Sequence, residues 1–133
     1  YLRGAPFGSM DPKERIARLD QEGLAKAVLY PTLGILWEPE VRDPEIACAY
    51  TRAYNRWIMD FCEDSGGRLV PIAHISLSDP ALAAQETERA LIAGAKGIFF
   101  HPFTWTRKSP GHPDYARLWA IAQEHGAPVA LHP

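Results

Sequence analysis

Four short, wholly apolar runs, each stopping abruptly at an imidazole or a phenol, limit what this chain can fold into. Gly97-Ile98-Phe99-Phe100 ends in His101-Pro102, and Pro128-Val129-Ala130-Leu131 ends in His132-Pro133. Leu69-Val70-Pro71-Ile72-Ala73 leads to His74, and Ala27-Val28-Leu29 leads to Tyr30-Pro31. Such runs are too short for helices. Apolarity at every position, rather than every second one, predicts strands buried on both faces, as in a parallel sheet. The last residues, Tyr30, His74, His101 and His132, are spaced by 44, 27 and 31 positions. An interval near thirty is the length of one strand-helix repeat.

The stretches between the runs read as helices with explicit start and stop signals. Asp11-Pro12-Lys13-Glu14 opens the first: an aspartate cap, proline at the first helical position, and glutamate where a capping box needs it. Ile16 and Leu19 mark its apolar face and Gly23 its end. Asp43-Pro44-Glu45 opens the second, in which Ile46, Tyr50, Ala53, Trp57 and Phe61 recur at helical spacing as a core-facing stripe. Asp79-Pro80 opens the third, with Ala83, Ala90 and Leu91 inward and Gly94 as its stop. His112-Pro113-Asp114 opens the fourth, with Tyr115, Leu118, Trp119 and Ala122 inward. The predicted strands run over 25–30, 69–76, 97–100 and 128–132. Residues 1–10 have no usable period and are expected to be irregular. The segment Gly34 to Pro39, longer than a tight connection and rich in large apolar groups, is expected to be an active-site loop.

Helix and strand alternating four times imply a parallel sheet with right-handed crossovers. Neither G-x-G-x-x-G nor G-x-x-x-x-G-K-[ST] occurs, which counts against a doubly wound nucleotide binder. Four strands are half of a (β/α)8 barrel, whose usual length of roughly 250 residues is about twice this chain. The expected fold is therefore α/β: a partial (β/α)8 (TIM) barrel, about half a barrel, forming one partial domain over residues 1–133. The run to His132 closes the chain without a helix to cover it, so further chain is expected on at least the C-terminal side.

Composition removes several classes of partner. The 14 basic and 16 acidic residues give a net charge of −2 and are spread throughout. No basic stripe suits a nucleic-acid backbone, and no polybasic segment suits a lipid surface. No apolar run approaches a membrane span, and the N-terminal residues do not have the form of a signal peptide. Cys48 and Cys62 lie fourteen apart in one predicted helix, too far along a rigid rod to bridge. They read as reduced thiols of a cytoplasmic protein.

In parallel α/β architectures the reactive groups gather at the C-terminal ends of the strands. Here that inventory is Tyr30, Thr32, His74, Ser76, His101, Thr104 and His132, with no lysine, aspartate or glutamate on a strand. Lys26 and Lys96 flank the opposite ends, which disfavours a Schiff-base aldolase, and no glycosidase carboxylate pair is visible. Neutral imidazoles converging on one rim suit a divalent metal such as zinc, or general acid-base work. His74, with two more strand residues after it, is expected to sit deeper. Trp37, Trp105 and Phe103 follow strands and could wall a substrate pocket, whereas Trp57 and Trp119 belong to helix stripes and read as core. His112 and His125 are expected at helix ends on the surface.

The runs Arg15-Ile16-Ala17-Arg18-Leu19-Asp20-Gln21-Glu22-Gly23 and Ala27-Val28-Leu29-Tyr30-Pro31-Thr32-Leu33-Gly34 carry a resemblance, with Ala53-Tyr54-Asn55-Arg56-Trp57, Pro71-Ile72-Ala73, Asp79-Pro80 and Val129-Ala130-Leu131-His132-Pro133. Together, in this order and spacing, they resemble the amidohydrolase-related family typified by aminocarboxymuconate-semialdehyde decarboxylase. The resemblance implies a metal-dependent barrel that hydrolyses or non-oxidatively decarboxylates a small carboxylate or cyclic substrate, with zinc, or alternatively manganese, as cofactor. It implies that His132, in the place of the histidine ending the family's fifth strand, ligates the metal. The chain then corresponds to strands two to five. The family's other ligands and its sixth-strand catalytic histidine have no counterpart here, so these 133 residues alone are expected to be inactive. His101, His74, Trp37, Trp105 and Tyr30 are the candidate substrate-binding residues, and the full-length protein is expected to be a homo-oligomer. Two other readings remain open: a half barrel that binds or oligomerises without chemistry, its sheet edges free to pair, and a metal-independent lyase using His101 and His132 as acid and base.

Overall fold

The computed structural model describes residues 4–32 and 34–132, and of Ile35 the backbone alone. Helices and strands alternate as α1 (Pro12–Glu22), β1 (Ala27–Leu29), α2 (Gly34–Trp37), a 3-10 turn (Glu38–Glu40), α3 (Pro44–Glu63), β2 (Leu69–Pro71), β3 (Ala73–His74), α4 (Pro80–Ile92), β4 (Ile98–Phe100), a second 3-10 turn (Pro113–Tyr115), α5 (Ala116–Glu124) and β5 (Val129–Leu131). Every strand pairing is parallel: β1 with β2, β3 with β4, and β4 with β5.

The predicted strand over 69–76 is one extended run that changes partners at Ile72. Successive backbone groups of a strand point to opposite sides, so alternate residues serve opposite neighbours. Ile72 donates to the Leu29 carbonyl on the β1 side, whereas Ala73 donates to Gly97 and Ile75 to Phe99 on the β4 side. Pro71, which has no N–H, opens the β4 side as an acceptor: its carbonyl takes the N–H of Lys96. A proline is thus accommodated in a central strand because the rung its N–H would make falls before the pairing begins.

The aspartate-proline starts form as expected. Asp11, Asp43 and Asp79 each accept from two backbone N–H groups of the following turn, with proline just inside the helix. Glu14 departs from the capping box, because its carboxylate accepts from Gly8 N–H instead and ties the irregular N-terminal segment to α1. The fourth helix begins as a 3-10 turn before becoming α5.

Two apolar clusters lie between sheet and helices. One joins Ala73, Ile75, Ile98 and Phe100 to Ala83, Ala90 and Leu91 of α4 and to Leu118, Ile121 and Ala122 of α5. The other joins Leu69 to Leu19 of α1 and to Ile58, Phe61 and Cys62 of α3. Two expectations need correction here. Of the predicted α3 stripe only Phe61 is buried; Ile46, Tyr50, Ala53 and Trp57 are exposed, and the inward face is Ala47, Cys48, Thr51, Asn55, Ile58, Phe61 and Cys62. The inward face is polar at Thr51 and Asn55: the Asn55 amide satisfies the backbone N–H and carbonyl of His74 at the β3 end, and the Thr51 hydroxyl donates to the Cys48 carbonyl within α3 itself. Burial on both faces holds for β4 but not for the outer strands: Val28 of β1 is 51% exposed, and Val129 and Leu131 of β5 are 41% and 57% exposed. Among the described residues no helix is long and apolar enough to cross a membrane.

Candidate functional site

The C-terminal strand ends place the histidines at two depths. His74 is level with Phe99 in the β3–β4 register, and His101 lies two residues beyond Phe99. At about 3.3 Å per residue, His74 therefore sits roughly 6.6 Å below His101. Phe100 is level with Leu131, which makes His101 and His132 neighbours one residue past the last rung of β4 and β5. Tyr30 and His74 share a face with Phe99, their ring centroids 6.0 and 5.6 Å from its own. The opposite face, with Ile98 and Phe100, packs on the helices.

His74 is wholly buried and held from several sides. The chain after β1 folds over it as α2 and the first 3-10 turn. That fold brings the buried Glu38 carboxylate to 2.8 Å from His74 Nε2 and the Trp37 ring to 5.7 Å from the imidazole. Gly34 meets its other edge: a Cβ there would lie 2.7 Å from Nδ1. From below, Asn55 grips the His74 backbone, accepting its N–H at 2.7 Å and donating to its carbonyl at 3.0 Å. The same amide donates to Glu86 at 2.8 Å, and Glu86 also accepts from Arg52 and Arg89. Burial alone would raise the Glu86 carboxyl, but the hydrogen bonds from Arg89, Asn55 and Arg52 together hold it below the ordinary carboxylate range. A charged carboxylate inside the α3–α4 contact is thus stabilised by the groups it orients.

Beside His74 lies a cavity of about 630 Å³. Tyr30, Trp37, Tyr54 and Trp57 form aromatic walls, Gly34 and His74 lie at one end, and Arg15 and residues 4–6 and 9–10 of the N-terminal segment close it from outside. Among the described residues, three buried polar atoms of this lining, Ser9 Oγ, His74 Nδ1 and the Tyr54 hydroxyl, have no hydrogen-bond partner, and neither has Glu38 Oε1 close by. Burial pushes the Tyr54 phenol well above its ordinary range, with a smaller contribution from the nearby Cys62 thiol.

The amidohydrolase family matches residues 13–133. The chain belongs to the amidohydrolase family. Three solved structures illustrate the relation. An amidohydrolase from Mycobacterium avium subsp. paratuberculosis is 27% identical over 93% of this chain and 34% of its own, with a TM-score of 0.83. A 5-carboxyvanillate decarboxylase from Novosphingobium aromaticivorans, solved with manganese and 3-methoxy-4-hydroxy-5-nitrobenzoic acid, is 26% identical over 90% of this chain and 34% of its own, with a TM-score of 0.77. A dihydroxybenzoic acid decarboxylase from Polaromonas, solved with manganese and 2-nitroresorcinol, is 23% identical over 90% and 37%, with a TM-score of 0.78. The chain spans about a third of the length of these proteins. No curated protein matches it. The parallel, alternating architecture together with these neighbours makes the fold part of a (β/α)8 barrel.

In this amidohydrolase chain the candidate residues divide into two groups. Tyr30, Trp37 and His74 meet at the cavity. His101, His132 and Trp105 lie outside it, on or beside the rim of β4 and β5. His101 is half-buried, and its Nδ1 donates to the Phe103 carbonyl at 2.6 Å. His132 is exposed, and Trp105 is 45% exposed. Among the described residues no three His, Cys, Asp or Glu side chains are grouped so as to hold a metal ion. The segment expected to be a loop is the helical cover of His74, and Leu33 in it lies outside the described residues. His112 and His125 are exposed at the ends of their helical elements, as expected. Trp57, expected in the core, is 40% exposed and lines the cavity instead. Sequence reasoning missed Glu38, Asn55, Glu86 and Tyr54. Asn55 had a readable signal, a polar residue among apolar ones on a long helix; Glu38, flanked by Trp37 and Pro39, had none that separates it from a solvated loop carboxylate.

Proposed function

We propose that this chain is the second-to-fifth-strand portion of a metal-dependent carboxy-lyase acting on a small cyclic carboxylate. The observation that carries the reading is the β4–β5 register, which sets His101 and His132 side by side at the C-terminal rim of a barrel whose family is established. The two decarboxylase neighbours solved with manganese support lyase over hydrolase chemistry.

The donor chemistry at this rim fits part of a divalent-metal site. His132 offers an exposed imidazole at the strand end, and an imidazole ligand is compatible with either zinc or manganese, zinc being the expectation. A single imidazole is one ligand of about three that such a site needs, so the remaining ligands belong to other strands of the barrel. When bound, the ion would supply a positive charge that stabilises the negative charge left on the substrate as CO2 departs. The chain's own residues bind and orient: His101 is fixed in direction by its bond to the Phe103 carbonyl, Tyr30 and Trp37 provide apolar walls, and the α2 cover keeps water from His74.

The same proposal places the protein in the cytoplasm as a homo-oligomer with a small-molecule substrate. The free, buried thiols Cys48 and Cys62, both raised by burial and Cys62 to about 11, support a reducing compartment. The test uses the protein made from its complete coding sequence: metal analysis, chelation and re-addition of zinc or manganese, with CO2 release as readout. About one ion per chain, and activity lost on chelation and restored by metal, are expected. A metal-free protein that releases CO2 overturns the reading, and light scattering tests the assembly.

A further inference from the structure

We propose that the outward face of α3 is a two-fold interface with a second copy of this chain, in which Ile46, Tyr50, Ala53 and Trp57 of one copy pack antiparallel against the same four residues of the other. This deepens the homo-oligomer reading above and rests on it for the existence of a partner copy.

A surface helix ordinarily carries one apolar stripe, whereas α3 carries two. The inner one, with Ile58, Phe61 and Cys62, packs with Leu69 of β2 and Leu19 of α1. The outer one is Ile46, Tyr50, Ala53 and Trp57, at steps of four, three and four residues, the spacing of a seam between two helices. It runs over three turns, roughly 16 Å, and contains no charged residue. Ile46, Tyr50 and Trp57 are 47%, 53% and 40% exposed. The two aromatic rings are already held in place. Trp37 stands edge-on to Tyr50 with ring centroids 5.1 Å apart, and Trp57 rests on Tyr54 and Phe61 at 6.0 and 5.1 Å. Rings that are fixed before contact lose little freedom on binding, which suits anchors at the centre of an interface. Leu36, next to Trp37, and Met10, on the same cavity lining as Trp57, are exposed as well and widen the patch beyond the helix. Exposed apolar surface gathered in this way marks a contact face.

Self-complementarity points to a copy of the same chain as the occupant. A two-fold contact sets residue i against residue j and residue j against residue i. With the two α3 helices antiparallel and the axis level with Thr51 and Arg52, Ile46 meets Trp57 of the other copy and Tyr50 meets its Ala53. Each layer of the seam then matches a large side chain with a smaller one. A parallel pairing would set Ala53 on Ala53 and Trp57 on Trp57, a gap next to a clash. Charge agrees with the antiparallel order. Glu45 and Arg56 are exposed on one flank of the stripe, and neither side chain has an ion pair among the described residues. Antiparallel packing brings Arg56 of each copy beside Glu45 of the other, so that two ion pairs form about the axis. The parallel order brings neither pair together.

The test uses the protein made from its complete coding sequence, in sedimentation velocity over a dilution series. The original protein should associate. Ala53→Glu puts a carboxylate into the seam opposite Tyr50 and should weaken association by about a hundredfold or more, with the circular dichroism spectrum unchanged. Glu45→Arg and Arg56→Glu should each weaken it about tenfold. The double variant should recover the original strength, because reversing both charges restores both pairs. Association unchanged in folded Ala53→Glu overturns the proposal and leaves the assembly reading standing. A double variant no tighter than the single ones overturns it as well, and alters only exposed charges, so folding is not at stake. An original protein that is monomeric at every concentration removes the assembly reading and the interface with it; loss of the fold in Ala53→Glu would then show that another segment of the same polypeptide covers the stripe.

Discussion

His74 and the His101–His132 pair end neighbouring strands of one sheet, yet they occupy opposite environments. His74 is enclosed by α2, Trp37, Tyr54 and Phe99, hydrogen-bonded through its ring to Glu38 and through its backbone to Asn55. His132 is exposed and His101 half-buried, the His101 ring held locally against the backbone and ring of Phe103. The difference comes from depth and cover together. Two residues of register, roughly 6.6 Å, separate the levels, and the connection after β1 folds down as a helix where the one after β4 stays open around Phe103 and Trp105. Equivalent strand-end histidines can therefore belong one to the interior and the others to an accessible rim. Stability and chemistry should separate along the same line.

The largest expected effect is on the accessible side. His132→Ala should cost roughly a thousandfold in CO2 release by the complete protein, about 4 kcal/mol of transition-state stabilisation. It should lower the melting temperature of the metal-free protein by less than the interior changes below, because the side chain is exposed at the rim. A melt lowered as much as by the interior changes below would break the comparison.

Glu86→Gln comes next and acts through the interior. Removing one partner of a fully buried ion pair costs about 3–5 kcal/mol. Arg52 and Arg89 each reach solvent with about a third of their side chain, so the expected loss is smaller, about 2–3 kcal/mol by urea denaturation at pH 7. Because the folded Glu86 carboxyl is held low, its contribution is present above the unfolded carboxylate value of about 4.3 and is lost as pH falls through the folded value. The gap between the original protein and Glu86→Gln should therefore narrow in melts at acid pH. A constant gap would mean that the carboxylate charge is not what stabilises the α3–α4 contact.

Glu38→Gln sharpens the comparison within the buried set. The amide can still bond His74 but no longer forces the proton onto Nε2, and we expect a loss of about 1–2 kcal/mol. Nitrogen-15 spectra of the imidazole should show a single Nε2–H tautomer in the original protein and a mixture in the variant. His101→Ala is expected to have the smallest effect on stability, within about 0.5 kcal/mol, with its consequence confined to substrate KM.

The parts of this molecule that were legible beforehand are those coded by neighbouring residues. Asp11-Pro12, Asp43-Pro44 and Asp79-Pro80 start helices because an aspartate cap and a proline at the first turn act within a few residues. The four apolar runs became parallel strand material within a residue or two of their expected limits, apart from the change of partners at Ile72. The α3 stripe misled because Ile46, Tyr50 and Trp57 share one helix face with the spacing a core would have, and periodicity does not say which of two faces meets the sheet. The face that does so carries Asn55, whose amide is the match for the two backbone groups of His74.

Local chemistry thus determined the order of elements, their starts, the parallel sheet and the histidines at strand ends. Tertiary structure alone decided which histidine is buried, that Glu38 from a connecting segment reaches its ring, and that Asn55 and Glu86, 31 positions apart, share a proton donor and its acceptor. The physical reason is range: caps and strand patterns are set over a few bonds, whereas the partner of a buried polar atom is whatever the completed packing brings within hydrogen-bonding distance.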